Sequence, residues 1–223
     1  METMEIEIVS IVLRRILKKM EPKERILKGA EELFFRYGIK SVTMDDIAKH
    51  LGISKKTIYQ SFSDKDEVVH TLMQLKLKED KHTVEECASG SANIIEEIFK
   101  MMQHISSVFG KINPNAFYDL QKYHPKSWDL IKTFKEKCVQ QMMEDAMVKG
   151  VKDGIVRPDI NIKIMAKLRM EEVEMGFNPE LFPPDKFKIL DVQLALLDHF
   201  LHGICTLKGH KLVNKHKQLQ EEE

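Results

Sequence analysis

The stretch Thr43–Phe62, "TMDDIAKHLGISKKTIYQSF", constrains this chain more tightly than any other. Thr43 followed by Asp46 is a T-x-x-D capping pattern, so the spacing predicts a helix that starts at Thr43. Ile47 and Leu51 share its inner face, and Ala48 is small enough to let another helix cross closely. Gly52 ends that helix by taking positive φ at little cost. Ile53 fills the turn, and Ser54 caps a second helix on which Ile58 and Phe62 face inward. Lys55, Lys56, Thr57, Tyr59 and Gln60 are left outside or at the exposed start. Two short helices around a glycine turn, the second one cationic, match a helix-turn-helix whose second helix enters a major groove. Lysines and a tyrosine hydroxyl can then meet phosphates while Thr57 reaches base edges. Ser63, with Asp66 three residues on, is expected to cap the next helix. Lys65 in that first turn opposes the helix dipole, which makes sense beside an anion. The competing reading is a solvated helical hairpin with incidental lysines, because Met20–Glu67 balances acids and bases.

The whole chain offers no bulk electrostatic argument: Lys+Arg and Asp+Glu both count 35. Any basic surface must therefore be local. Its 223 residues, 43% hydrophobic and 31% charged, suit an ordered protein with one generous core or two small ones. Cys87, Cys138 and Cys205 form no CxxC pair and read as buried thiols in a reducing compartment. No run approaches the ~18 apolar residues of a membrane span. At the start, acids precede the apolar stretch and cations follow it, the wrong order for a secretory signal. The expected location is the cytoplasm.

Nearly every other segment has helical rather than alternating periodicity, so the predicted fold is all-α. From Pro22 a stripe of Ile26, Leu27, Ala30, Leu33, Phe34 and Tyr37 leads to Gly38, expected in a left-handed turn. A longer helix begins near Ser63. Others are expected at Ile94–Lys111, around Phe117–Leu120, Lys126–Lys149, Asn161–Met175 and Asp185–Lys208, followed by a frayed tail from residue 209. In the last long helix, Leu190, Leu194, Leu197, Leu201 and Ile204 form one apolar stripe. Ile189, Val192, Leu196, Phe200 and Leu207 form another, with Gly203 on it. A helix apolar on two sides needs two partners: its own domain and a symmetry mate, or two neighbours within one subunit. His199, His202 and Cys205 are spaced i, i+3, i+6, but they drift around the helix and no metal site is expected. No glycine-rich phosphate loop, HExxH or paired catalytic carboxylates support an enzyme, and no cofactor is expected.

The segment "ILKGAEELFFRYGIKSVTMDDIAKHLGISKKTIYQSFSDKDEVV" resembles the N-terminal DNA-binding domain of the TetR family of transcriptional regulators. The resemblance rests on "FRYG", Thr43, "IAKHLGIS", "TIYQSF" and Lys65 in the family's order. It implies an N-terminal three-helix reading head at residues 21–67, with Thr43, Tyr59 and Lys65 on phosphates of double-stranded DNA. Ser54, Lys55, Lys56 and Thr57 would lie at the groove. Many members carry a small residue where Lys56 stands, which leaves its role open between a phosphate and a guanine edge.

The resemblance also implies that residues 68–208 sense a small apolar or amphipathic molecule and form a homodimer through the last two long helices. Pocket candidates are the adaptable or flat side chains Met101, His104, Phe109, Tyr118, Tyr123, Trp128, Phe134 and Met142. Interface candidates are Leu194, Leu197, Phe200, Leu201, Gly203 and Ile204. The expected protein is a dimeric repressor released from a palindromic operator by its ligand. The alternative is a DNA-binding dimer without a sensor, whose second domain serves only dimerisation or a protein partner. Residues 1–20, with an amphipathic stripe and "RRILKK", read as a basic arm or as sequence upstream of the true start. The second is preferred because Met20 opens a segment that reads like a complete family start.

Overall fold

The computed structural model describes residues 21–109, 113 and 115–221, without the side chains of 108–109 and 218–221. The expectations for residues 1–20 and for the Phe109 side chain lie outside these. Among the described residues there are helices and one isolated antiparallel bridge, Val156 to Cys205. The chain is all-α, as the periodicity predicted.

Three helices build the N-terminal unit: α1 (Pro22–Tyr37), α2 (Met44–Leu51) and α3 (Lys55–Tyr59). Pro22 occupies the first turn of α1, where its missing N–H costs nothing. Gly38 ends α1 at φ 83 and ψ 155, positive in φ but extended in ψ, so the turn is not the left-handed helical one expected. At Thr43 the capping box is complete: its hydroxyl accepts from the Asp46 amide, and the Asp46 carboxylate accepts from the Thr43 amide. Gly52 is left-handed at φ 63 and ψ 35. Ala48 is buried, and a methyl group on Gly29 of α1 would stand 2.7 Å from Leu51 Cδ2. The close crossing of α1 and α2 therefore needs a small residue on α1 as well.

The long α4 (Lys65–Ser89) leaves this unit. Its cap is Asp64, which accepts from the Glu67 amide, and Glu67 reaches back to the amide and hydroxyl of Ser63. The cap therefore falls one residue after the expected Ser63. After α5 (Ile94–Phe109) and α6 (Ala116–Tyr123), α7 (Pro125–Phe134) runs through a π-helical turn at Lys135–Val139 into α8 (Gln140–Lys152). α9 (Ile162–Met175), α10 (Ile189–Ile204) and α11 (Leu207–Glu221) complete the chain.

The end of the chain corrects two expectations. The last long helix stops at Ile204 because Cys205 is extended and bridges Val156, with Arg157 N–H donating to the Ile204 carbonyl. The tail is helical rather than frayed: Val213 is fully buried, and His216 stacks on Phe99 at 5.1 Å.

Burial divides into two cores. The first gathers Ile26, Phe34, Ile47, Ile58, Phe62, Val68 and Val69, and it also takes Leu120 from α6 and Trp128 from α7. The second joins α5, α8, α10 and α11 through residues such as Ile95, Met147, Leu197, Phe200, Leu201 and Ile204. Each fully buried aliphatic or aromatic side chain contributes roughly 1.5–3 kcal/mol of transfer free energy. Of the three thiols only Cys205 is buried, which pushes its pKa up to about 11; Cys87 and Cys138 are half-buried.

Candidate nucleic-acid interface

The balance of acids and bases in the reading head resolves once the partners are counted. Asp45 pairs with Lys49 at 2.8 Å, and that hydrogen bond and charge hold its carboxyl below the usual range. Asp46 is held low by the Thr43 hydroxyl and amide, and Glu67 by Ser63. Glu31 pairs with Lys76 at 2.6 Å, Glu32 with His50 at 2.9 Å, and Asp64 caps α4. Lys55 and Lys56, in the first turn of α3, are exposed and form no ion pair among the described residues. A neutral segment thus presents, at one helix end, two cations without an ion pair among the described residues.

The other expected DNA residues surround that end. Ser54 accepts from the Thr57 amide at 3.1 Å, and its hydroxyl meets the Thr57 hydroxyl at 2.8 Å. Thr57 therefore offers its remaining hydrogen-bonding capacity from a fixed position. Tyr59 is 47% exposed although Ile58 beside it is fully buried, which is the inward-outward split of an amphipathic turn. Thr43 is exposed at the start of α2. Lys65 behaves differently. Its ammonium is half-buried, donates to the Lys40 carbonyl at 3.3 Å and lies 5.9 Å from the Phe34 ring centre. Burial pushes its pKa below 10.5, against the opposing pull of Asp119, Asp66 and Asp46.

Sequence reasoning missed the α6 side of this unit. Asp119 accepts the Lys40 amide at 2.8 Å, and the Lys40 ammonium lies 4.9 Å from the Tyr123 ring. His124 Nδ1 comes within 2.6 Å of Asp66 Oδ1, an ion-pair distance without hydrogen-bond geometry. No local pattern encodes contacts that span such separations.

The expected ligand pocket is dispersed. An open groove of about 600 Å³ lies between α4 and the α7–α8 run, walled by Leu77, Leu130, Phe134, Cys138 and Met142. Only Phe134 and Met142 of the candidates line it. Trp128 is buried in the reading-head core, with its indole N–H unpaired among the described residues. Tyr118 takes a hydrogen bond from Lys122, and Tyr123 faces Lys40. Met101 and His104 stand on α5 outside the groove, His104 within 3.7 Å of Asp80.

The expected interface set also divides. Leu197, Phe200, Leu201 and Ile204 turn into their own core, because both apolar stripes of α10 find neighbours in α5, α9 and α11. Leu194 and Gly203 face outward. On α9, which packs against α10, Ile164, Leu168 and Met175 are also exposed. His199 and His202 are exposed on α10 while Cys205 is buried, so the three do not converge.

Fold and site together define a helix-turn-helix DNA-binding protein with a helical second unit. The family model described as "Bacterial regulatory proteins, tetR family" matches residues 26–72. YvaF, an HTH-type transcriptional regulator of Bacillus subtilis (strain 168), is 25% identical over 185 residues, covering 82% of this chain and 95% of that protein. A TetR-family regulator from Agrobacterium tumefaciens superposes with a TM-score of 0.68 at 16% identity, over 83% of this chain and 98% of its own. A gamma-butyrolactone receptor (ArpA-like protein) gives a TM-score of 0.62 at 14% identity, over 90% and 97%. Residues 26–72 thus carry the helix-turn-helix of the tetR family, and over most of its length the chain is similar to DNA-binding transcriptional regulators of that fold. No helix among the described residues is long and apolar enough to cross a membrane.

Proposed function

We propose that this regulator is a homodimeric repressor, acting in the cytoplasm, that leaves its operator when a small apolar or amphipathic molecule binds the second unit. The unpaired Lys55 and Lys56 at the start of α3 carry the DNA reading. In it, Thr43, Tyr59 and Lys65 meet phosphates, while Ser54, Lys55, Lys56 and Thr57 lie along the major groove. One such unit buries little surface, so two are needed, spaced about one helical turn of DNA apart. Exposed Ile164, Leu168 and Leu194 support pairing through α9 and α10. The gamma-butyrolactone receptor is named for a small molecule, and the groove beside Phe134 and Met142 is the corresponding candidate here. Such a ligand would lower DNA affinity by its preference for the non-binding arrangement.

The aromatic side chains spent on the reading head favour a second reading, a dimer whose second unit senses nothing. Two measurements separate them. Wild-type protein should select a two-fold symmetric duplex from a random-sequence pool, with steep salt dependence. A screen of small apolar compounds should then find some that raise the melting temperature and lower affinity for that duplex. Stabilisation by none of them, with DNA binding intact, would leave the sensorless dimer.

A further inference from the structure

Asp119 stands on α6, outside the helix-turn-helix, yet it is almost fully buried against it. Its Oδ2 accepts the Lys40 amide at 2.8 Å, and the Lys40 carbonyl accepts Lys65 Nζ at 3.3 Å. Both backbone groups of one residue are therefore held, by a carboxylate from α6 on one side and by an α4 ammonium on the other. Lys40 lies in the turn joining α1 to α2, three residues before Thr43.

The approach is close. A Cβ on Gly38, which has φ 83, would stand 3.2 Å from Asp119 Oδ2. The segment entering α6 is pinned to the same turn by Asn113, whose amide donates to the Phe35 carbonyl at 2.7 Å. At the far end of α6, His124 reaches Asp66, the residue after Lys65. This helix thus touches the chain on both sides of Lys65.

We propose that Asp119 is a positioning residue for DNA binding: acting through Lys40, it fixes the Lys65 ammonium relative to the Thr43 end of α2, so that both can reach one phosphate backbone. The proposal rests on the phosphate role given to Lys65 above. An ammonium has three donors, and the Lys40 carbonyl uses one, leaving two for phosphate. Amide hydrogen bonds to an ionised carboxylate are among the stronger ones, so the turn is firmly set. Without the carboxylate, the Lys40 amide loses its partner and the carbonyl that aims Lys65 is no longer fixed.

The test uses the full chain and fluorescence anisotropy on the duplex that wild type selects from a random pool, at several salt concentrations. Lys65→Ala should reduce the steepness of log K against log salt by about 0.9, the loss of one phosphate contact. Asp119→Ala should do the same, and Asp119→Ala with Lys65→Ala should bind no worse than Lys65→Ala alone. Asp119→Asn, which keeps an acceptor oxygen at the amide, should retain the wild-type slope. Asp119→Ser leaves room for a water at that amide, and it takes the place of Asp119→Ala if the alanine variant does not fold. A wild-type slope in Asp119→Ala or Asp119→Ser, whatever the melting temperature, would overturn the proposal. Additive losses in the double variant would overturn it too. An unchanged slope in Lys65→Ala removes the contact itself, and the proposal with it. Failure of wild type to select any duplex is a different result, because it strikes the DNA reading as a whole.

Discussion

α2 and α10 are both amphipathic, but they settle their neighbours by different rules. α2 has eight residues, a complete cap at Thr43, a left-handed glycine at its end and one buried face made by Met44, Ile47 and Ala48. α10 has sixteen residues, no side-chain cap, and apolar residues around most of its circumference. In α2 the determinants lie three or four residues apart, so sequence spacing carries the geometry. In α10 the spacing defines faces without saying which neighbour takes each one. Leu197 and Phe200 turned out to serve their own core, and α9 exposes more large apolar side chains than α10 does.

The largest test of that contrast is Phe200→Ala. It removes a fully buried ring from the second core and should cost about 3–5 kcal/mol in denaturant unfolding. A near-neutral result would return Phe200 to the interface. Next, Leu168→Glu together with Leu194→Glu should leave the helical circular dichroism intact. Sedimentation should show the dimer dissociation constant raised on the order of a hundredfold, because each subunit would bring two charges to the contact. If the pair changes nothing, dimerisation through α9 and α10 is wrong.

Smaller effects belong to the reading head. Lys55→Ala should lower affinity and reduce the salt slope by about 0.9 if it holds a phosphate. Lys56→Ala discriminates two roles: uniform weakening on every duplex marks a phosphate, and relaxed preference at one base pair marks a guanine edge. Smallest is Thr43→Ala, which should cost about 1 kcal/mol as a lost cap. It should also blunt the acid response. Asp46 sits below its ordinary pKa of 3.8, so its stabilising effect is complete above that value and is lost as pH falls through the lower folded one. The stability difference between the two proteins should therefore narrow as pH falls below 3.8 through the folded value, leaving the part due to the lost amide cap.

The legible part of this molecule is the part with short-range determinants. Thr43, Gly52, Ser54 and the inward pair Ile58 and Phe62 behave as their spacing required. Ser63 was misplaced by one residue because "SDKDE" holds two overlapping patterns, S-x-x-D and D-x-x-E, and the second closes. The tail looked too polar to persist, but buried Val213, with His216 stacked on Phe99, docks it. Tyr123 and Trp128 read as pocket residues because an aromatic's partner is invisible when it lies scores of residues away. Asp119 carried no local signal at all.

The burial of Leu120 and Trp128 among the reading-head residues bears on how regulators of this kind can be recombined. A chimera cut within α4 after Leu72, where the family model ends, would transplant three helices and leave behind two side chains that complete their core. The exchangeable unit is discontinuous. It is residues 21–72 together with α6 and the opening of α7, and a swap of DNA specificity has to carry both pieces or rebuild the missing wall.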